Sequence, residues 1–458
     1  MKAKYKRIVK ATLSIVVFIL ILNFVSSALV CPNDYRLYQW IGAFYENEEN
    51  TIDAVYIGSS TVYAFWCPSL AWKKEGISVW NYTSPRQPLA AAKYIIEDCR
   101  KTQKDALYIV NLNRVTSELD TTAFHFLLDF MPVSINKHKL ISALCDLMDI
   151  PLSERVEFYF PFELYHTRWS ELTEEDFNYE PDGYMSSPCY NMILKKFYGK
   201  QRNEIRLTDE KTQIEDSQLA VLNDLLDYCE SNDVNVLFTI NPQITNDTER
   251  QREINYAKYV VEKRGFDVVD YYFDEFESIG FDTTQDFQNG GHTNIHGAIK
   301  MTSALSSYLA DNYDFENKRG KTGYENWDAS VEKYTELISP YTLPFEYENV
   351  KRDGDVETPH FVGSEYDRIC VSLEWGSSED AEKYKLYRRI EDKKGNLSAY
   401  EEIAEIDADE TEYTDFVMLK RDNASAFTYI VVPVYYHNGK VTFGNFDYEG
   451  ITISNVDE

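Results

Sequence analysis

Positive charge is what this chain lacks most. Its 76 Asp and Glu residues face only 46 Lys and Arg, a formal net charge of −30 over 458 residues. A nucleic-acid phosphate backbone needs a basic face, so nucleic acid is excluded as a partner. The same deficit argues against tight binding to an anionic membrane surface, except at the basic N-terminus. Cysteine pairs are missing too: Cys31, Cys67, Cys99, Cys145, Cys189, Cys229 and Cys370 are scattered, with no C-x-x-C. That spacing gives neither a zinc site nor a dense disulfide framework, and buried apolar positions suit most of them. Internal repeats and low-complexity tracts are absent, so no repeat architecture is indicated.

What is present is enough for packed cores. Hydrophobic residues make up 44% and aromatics 15%, which rules out wholesale disorder, and the length implies two or three units. The chain opens with the basic Met1-Lys-Ala-Lys-Tyr-Lys-Arg-Ile-Val-Lys10 and continues almost uninterrupted in apolar residues from Ala11 to Val30. Such a run spans a bilayer with its basic end inside. Two readings compete: an uncleaved single-pass anchor over residues 1–34, and a signal peptide cleaved after Ala28, where Ser26 and Ala28 are small. The run exceeds the usual signal-peptide core, which favours the anchor. Either reading places the remainder outside the cytoplasm. Leu29 and Val30 before Cys31 disfavour a lipoprotein.

From residue 35 an α/β alternation begins. Strands are predicted at Thr51–Ile57, Ile77–Asn81, Ala106–Val110, Asn235–Ile240 and Phe266–Tyr271, separated by helices such as Leu89–Thr102, Asp216–Ser231 and Arg250–Arg264. Strands alternating with helices of ten or more residues imply βαβ units and a parallel sheet. The unit is expected to run over 35–338, with an insertion at about 121–200.

Two stretches carry the chemistry. Thr51-Ile-Asp-Ala-Val-Tyr-Ile-Gly-Ser-Ser-Thr-Val-Tyr63 reads as a strand buried on both faces that breaks at Gly58 into two hydroxyl residues. The break puts a serine at the carboxyl edge of the sheet, where open α/β sheets bind ligands. Far downstream, Asp286-Phe-Gln-Asn-Gly-Gly-His-Thr-Asn-Ile-His-Gly-Ala298 places His292 in a Gly-rich loop that runs into a helix. Together, Gly58-Ser59-Ser60 and the late His-x-Asn-x-x-Gly pattern resemble the SGNH (GDSL-type) hydrolases. The closer likeness is to their cell-surface branch, relatives of the D-alanyl transfer protein and the alginate acetyltransferases. The resemblance covers roughly residues 50–315. It implies a flavodoxin-like, three-layer parallel sheet, Ser60 as nucleophile and His292 as base. It also implies an oxyanion hole including Ser60 itself and Asn113, from the Asn111-Leu-Asn-Arg114 turn.

The family orients its histidine with an aspartate three residues earlier; here that position is Asn289. Asparagine can accept the imidazole N–H but brings no negative charge, which weakens the base. Asp286 is a possible substitute, given the adaptable Gly290-Gly291 pair. Gln87 is a candidate for positioning substrate. In the insertion, His166, Arg168 and Trp169 are candidates for binding a sugar or an anionic group, with an Arg–Trp packing contact the competing reading. His296 with His292 makes an incomplete metal site, so neither metal nor cofactor is expected.

Pro340 and Pro344 mark a linker over 339–356. Beyond it, at 357–458, the period changes to two, with strands such as Ile369–Trp375, Tyr384–Ile390 and Phe427–Tyr435 between polar turns. This region resembles a fibronectin type III domain with Trp375 as core tryptophan. Pro433 inside a strand indicates an edge or a bulge. The function expected is a membrane-anchored serine esterase or O-acyltransferase acting on acyl esters of cell-envelope or extracellular glycans. The alternative is a non-catalytic surface protein that binds carbohydrate.

Overall fold

The computed structural model describes residues 2–30, 40–173, 207–281, 283, 286–331, 334, 349–353, 368–378, 381–398, 400–418, 424–437, 440–443 and 450–454. The chain divides into two compact units. The first comprises Met1–Pro188, Arg206–Gly280 and Met301–Val331; the second comprises Cys189–Ile205, Phe281–Lys300 and Glu332–Glu458.

The first unit opens with helix α1 (Lys2–Leu29). It then builds a five-stranded sheet from β1 (Ala54–Gly58), β2 (Val79–Thr83), β3 (Leu107–Asn111), β4 (Val236–Ile240) and β5 (Asp267–Asp270). The spatial order is β2-β1-β3-β4-β5, and every neighbouring pair is parallel. Connecting helices include α2 (Ser60–Tyr63), α3 (Pro68–Glu75), α4 (Ala92–Cys99), α5 (Thr121–Leu128), α6 (Ile135–Leu147), α7 (Phe162–Tyr165), α8 (Asp216–Ser231) and α9 (Thr248–Lys263). This is the α/β architecture that the alternation predicted.

Strand side chains alternate between two buried faces, which explains why the strands read as continuous apolar runs. Val55, Ile57, Trp80, Tyr82, Tyr108, Val110, Phe238 and Ile240 share one core with Ile95, Ile96, Leu144, Leu222, Leu226, Ile254 and Val261 from the helices. On the other face Tyr56 meets Trp66 edge-on at 6.0 Å. Each buried Val, Ile or Phe contributes roughly 1.5–3 kcal/mol relative to an exposed one. The predicted second strand, Ile77–Asn81, sits two residues early. Ser78 is held instead by Asp53, whose carboxylate accepts its N–H and its hydroxyl, both at 2.8 Å. Cys67, Cys99, Cys145 and Cys229 are buried, as apolar positions would have them.

In the second unit, β8 (Asn349–Asp353), β9 (Arg368–Glu374) and β12 (Glu412–Met418) form a three-stranded antiparallel sheet in the order β12-β9-β8. Strands β10 (Lys383–Asp392), β11 (Glu401–Asp407), β13 (Ala424–His437) and β14 (Lys440–Phe443) form a second sheet, with β15 (Ile451–Ser454) also paired to β13. Val371, Leu373 and Trp375 from one sheet and Tyr384, Leu386, Phe427, Tyr429 and Val431 from the other share a single core. Two differences from expectation stand out. Strand β8 falls inside the predicted linker, because a charged segment, Asn-Val-Lys-Arg-Asp, pairs along the free edge of β9 without needing an apolar pattern. Pro433 lies in the central strand β13, opposite Tyr384, and not on an edge. Its other side falls between Tyr429, where β15 pairing stops, and Val434, where β14 pairing starts. A residue without an N–H is tolerated in such a gap.

Candidate active site

The order 2-1-3-4-5 has its topological switch between β1 and β3, where loops diverge and leave a crevice at the carboxyl ends of the strands. Ser60 follows β1 at that point. Gly58 makes the turn possible: a Cβ there would meet Val62 Cγ2 at 2.5 Å and Asn111 Cβ at 3.0 Å. The two serines after it divide the work. Ser59 is the N-cap of α2, its buried side chain accepting the Thr61 N–H at 3.4 Å and pairing with the Thr61 hydroxyl at 3.1 Å. Ser60, the first residue of the helix, is half-buried, and its hydroxyl makes no hydrogen bond among the described residues. The capping is thus done by Ser59 and not by Ser60.

A buried polar network holds the turn. The Thr61 hydroxyl donates to Asn111 Oδ1 at 2.8 Å, which also accepts the Asn113 N–H at 3.2 Å. Asn241 Nδ2 donates to the Thr61 carbonyl at 2.5 Å and to the Tyr56 phenol at 3.1 Å. That phenol lies 2.9 Å from the Thr239 hydroxyl, and burial pushes its pKa up to about 12. The ends of β1, β3 and β4 are thereby tied together beneath Ser60. Asn113 belongs to this scaffold. Its Nδ2 donates to the Asn241 carbonyl and its Oδ1 accepts the Asn241 N–H, both at 2.7 Å, and it is wholly buried. Both ends of the amide are thus engaged with the Asn241 backbone, with one of the two Nδ2 hydrogens so used. The backbone N–H of Ser60, in the first turn of its helix, has no helical acceptor.

Gln87 is also folded inward. Its Oε1 accepts the Ser84 hydroxyl at 3.1 Å and its Nε2 donates to the Tyr82 carbonyl at 3.4 Å, closing the turn after β2. Sequence reasoning missed three arginines at the same sheet edge. Arg86 follows β2, Arg114 follows β3, and Arg250 opens α9 after β4; with Asp120, Met148 and Glu253 they line an open cleft of about 730 Å³. Arg86 pairs with Asp120. Arg250 donates to the Asn113 carbonyl at 2.9 Å. Arg114 has no carboxylate partner among the described residues, and burial with repulsion from Arg250 and Arg86 lowers its pKa to about 10. Glu118, Asp247 and Glu249 also line the cleft, so carboxylates outnumber the arginines there. Single arginines after separate strands form no motif, which is why the pattern escaped notice.

In the second unit, β6 (Phe287–Asn289) and β7 (His292–Thr293) form a hairpin in which Asn289 faces His292 across the Gly290-Gly291 turn. Asn289 is exposed, and its Oδ1 accepts the Gly291 N–H at 2.9 Å, closing the turn. The half-buried imidazole of His292 keeps a buried Nδ1 without a partner among the described residues. Burial holds its pKa below the ordinary 6.5. Asp286 is buried and ion-paired with Lys300 at 2.8 Å. Its carbonyl accepts the Asn294 N–H at 2.9 Å. The His-x-Asn-x-x-Gly pattern now has a physical reason. Asn294 caps helix α10 (Ile295–Asn312) through the Gly297 N–H at 3.2 Å. Gly297 leaves room for the Asp286 carbonyl, which a Cβ would approach to 2.3 Å.

Of the insertion candidates, His166 and Trp169 are exposed on the 3-10 turn His166–Ser170, Trp169 by 72%. Arg168 Nη1 donates to the Leu29 carbonyl, at the end of α1, at 2.7 Å.

No protein-family model matches the chain, and no curated protein matches it. Among solved structures, it is similar to a "putative acylhydrolase" from Bacteroides fragilis NCTC 9343, with 10% sequence identity and a TM-score of 0.28. The similarity covers 58% of this chain and 90% of that one. A score this low settles neither fold nor function.

Proposed function

We propose that this protein is an SGNH-like serine esterase or O-acyltransferase, held at the outer face of a membrane by α1 and acting on acyl esters of envelope or extracellular glycans. The observation that carries the reading is the division of labour between Ser59 and Ser60: one serine caps the helix, and the next keeps a free hydroxyl at the topological switch of the sheet. In the proposed reaction His292 takes the Ser60 proton as the hydroxyl attacks an ester carbonyl. The acyl-serine then passes to water or to a sugar hydroxyl. A neutral imidazole is what a base requires, and the burial of His292 favours that form. The Ser60 N–H serves as one oxyanion donor.

The pairing of Ser60 with His292 is a chemical proposal, supported by the state of each residue within its own unit and by their order in the chain. Asn289 closes its own turn and Asp286 is paired with Lys300, so the reaction runs on a histidine without a carboxylate committed to orienting it. The two antiparallel sheets of β8–β15, of three and five strands, support the fibronectin type III reading, and with it a spacer or adhesive role for that region. The apolar stretch Val9–Ser26 supports an anchor or a signal sequence. The test is hydrolysis of p-nitrophenyl acetate by the purified chain beside Ser60→Ala and His292→Ala. Turnover lost in both variants supports the mechanism. Equal turnover in all three defeats it and leaves the carbohydrate-binding surface protein.

A further inference from the structure

Large apolar side chains left exposed are not scattered over this protein. Among the described residues they lie on α1 or between Val133 and Trp169, with Tyr259 and Phe273 the exceptions. The two groups adjoin within the first unit. Arg168 clamps the Leu29 carbonyl, Leu29 and Ser26 are buried at 3% and 2%, and α7 packs on α1. The apolar window of α1, Val9–Ser26, has 18 residues and a mean hydropathy of 2.2. At a rise of 1.5 Å per residue it is roughly 27 Å long, close to the hydrocarbon thickness of a bilayer. The clamp at Leu29 therefore falls where hydrocarbon gives way to headgroups.

Leading up to the clamp in sequence, the insertion exposes Leu152 by 79%, Val156 by 56%, Phe162 by 41% and Leu164 by 54%, and Trp169 beside it by 72%. A soluble domain rarely leaves such a set in water, and a grouped set marks an interaction surface. Tryptophan, with an apolar body and one N–H, is the side chain that the membrane–water boundary selects. Charge points the same way. Lys137, Lys139, Arg155 and Arg168 are outnumbered here by Asp146, Asp149, Glu154, Glu157, Glu163 and Glu171, so nothing recruits anionic headgroups and contact is apolar.

We propose that the face formed by Leu152, Val156, Phe162, Leu164 and Trp169 enters the interfacial layer of the membrane that α1 spans. This rests on reading α1 as an anchor. A second attachment beside the anchor fixes the orientation of the first unit on the membrane and confines its reach to esters near the surface. It also gives Trp169 a role other than stacking on a sugar.

The protein carries its own probe. Of its seven tryptophans, Trp40, Trp66, Trp72, Trp80, Trp327 and Trp375 are all buried to within 4% exposure, and only Trp169 is open. The full chain is reconstituted into phosphatidylcholine vesicles with plain or brominated acyl chains, beside Trp169→Phe. Retention through alkaline carbonate extraction reads the anchor independently. The expected result is retention together with a loss of emission in brominated lipid that Trp169→Phe does not show and that salt does not change. Retention with Trp169 quenched by aqueous iodide and not by bromine overturns the inference while sparing the anchor. Protection of Trp169 from both quenchers means that protein covers the face, and overturns it too. Failure of retention removes the anchor and the inference together.

Discussion

At the scale of single residues, adjacent serines with the same chemistry are separated by one position in a helix. Ser59→Ala removes an N-cap and is expected to lower stability by about 0.5–2 kcal/mol. Ser60→Ala removes a hydroxyl with no partner among the described residues, so thermal or urea unfolding should move by less than about 0.5 kcal/mol, while esterase turnover falls by at least about 1,000-fold. A stability loss in Ser60→Ala matching that of Ser59→Ala would show that the assignment of roles is reversed. His292 makes a second prediction. Its folded pKa lies below 6.5 because burial disfavours the charged form. A base must be neutral, so kcat/KM should rise with pH along an acid limb whose midpoint is below 6.5. The unfolded chain binds that proton more readily, so this group's contribution to stability is present above pH 6.5 and lost as pH falls toward the folded value. An acid limb centred above 6.5 would contradict the assignment. The sequence pointed to Ser60 and His292 but could not say which of two serines caps. That depends on φ and ψ at a single break, not on residue type.

Single elements show where sequence reading stops. The five strands of the sheet were legible because burial on both faces writes itself as β-branched and aromatic runs. The network beneath Ser60 was not legible. Asn113 and Asn241 lie 128 positions apart, and Tyr56 and Asn241 185 apart, and no local period records such pairs. Asn113 read only as a family oxyanion donor, and the clamp its amide puts on the end of β4 went unseen. Asn113→Ala should leave the buried N–H and C=O of Asn241 unpaired, at a cost of about 1–3 kcal/mol for each. Denaturant midpoints test this, and an unchanged midpoint would rule out the clamp. Gly58 is held to a similar standard by packing, since a methyl there meets a stiff valine and the Asn111 side chain. Gly58→Ala should cost about 1–3 kcal/mol through overpacking and disturb Ser60 as well.

For the molecule as a whole, the sandwich of β8–β15 has its own core and its own buried charge pair. Arg388 donates to Asp415 at 2.8 Å, and Tyr429 donates to the same carboxylate at 2.9 Å, joining the two sheets. Asp415→Ala strands Arg388 and should destabilise this region by about 3–5 kcal/mol, with hydrolysis by the folded protein expected to be unchanged because none of the proposed catalytic residues lies in β8–β15. Parallel loss of activity in still-folded protein would refute that separation. The whole-chain pattern of one long apolar run, an α/β alternation and a late change to period two was open to inspection in the sequence. The start of the sandwich was not, because β8 is charged and owes its pairing to the edge of β9. The central claim is that Ser60 is a reactive nucleophile. It is tested most directly by incubating the full chain with a fluorophosphonate and mapping the adduct by mass spectrometry. The account predicts a phosphonyl group on Ser60, absent from Ser60→Ala and much slowed in His292→Ala. A well-folded protein that stays unlabelled, or carries the label elsewhere, would contradict it.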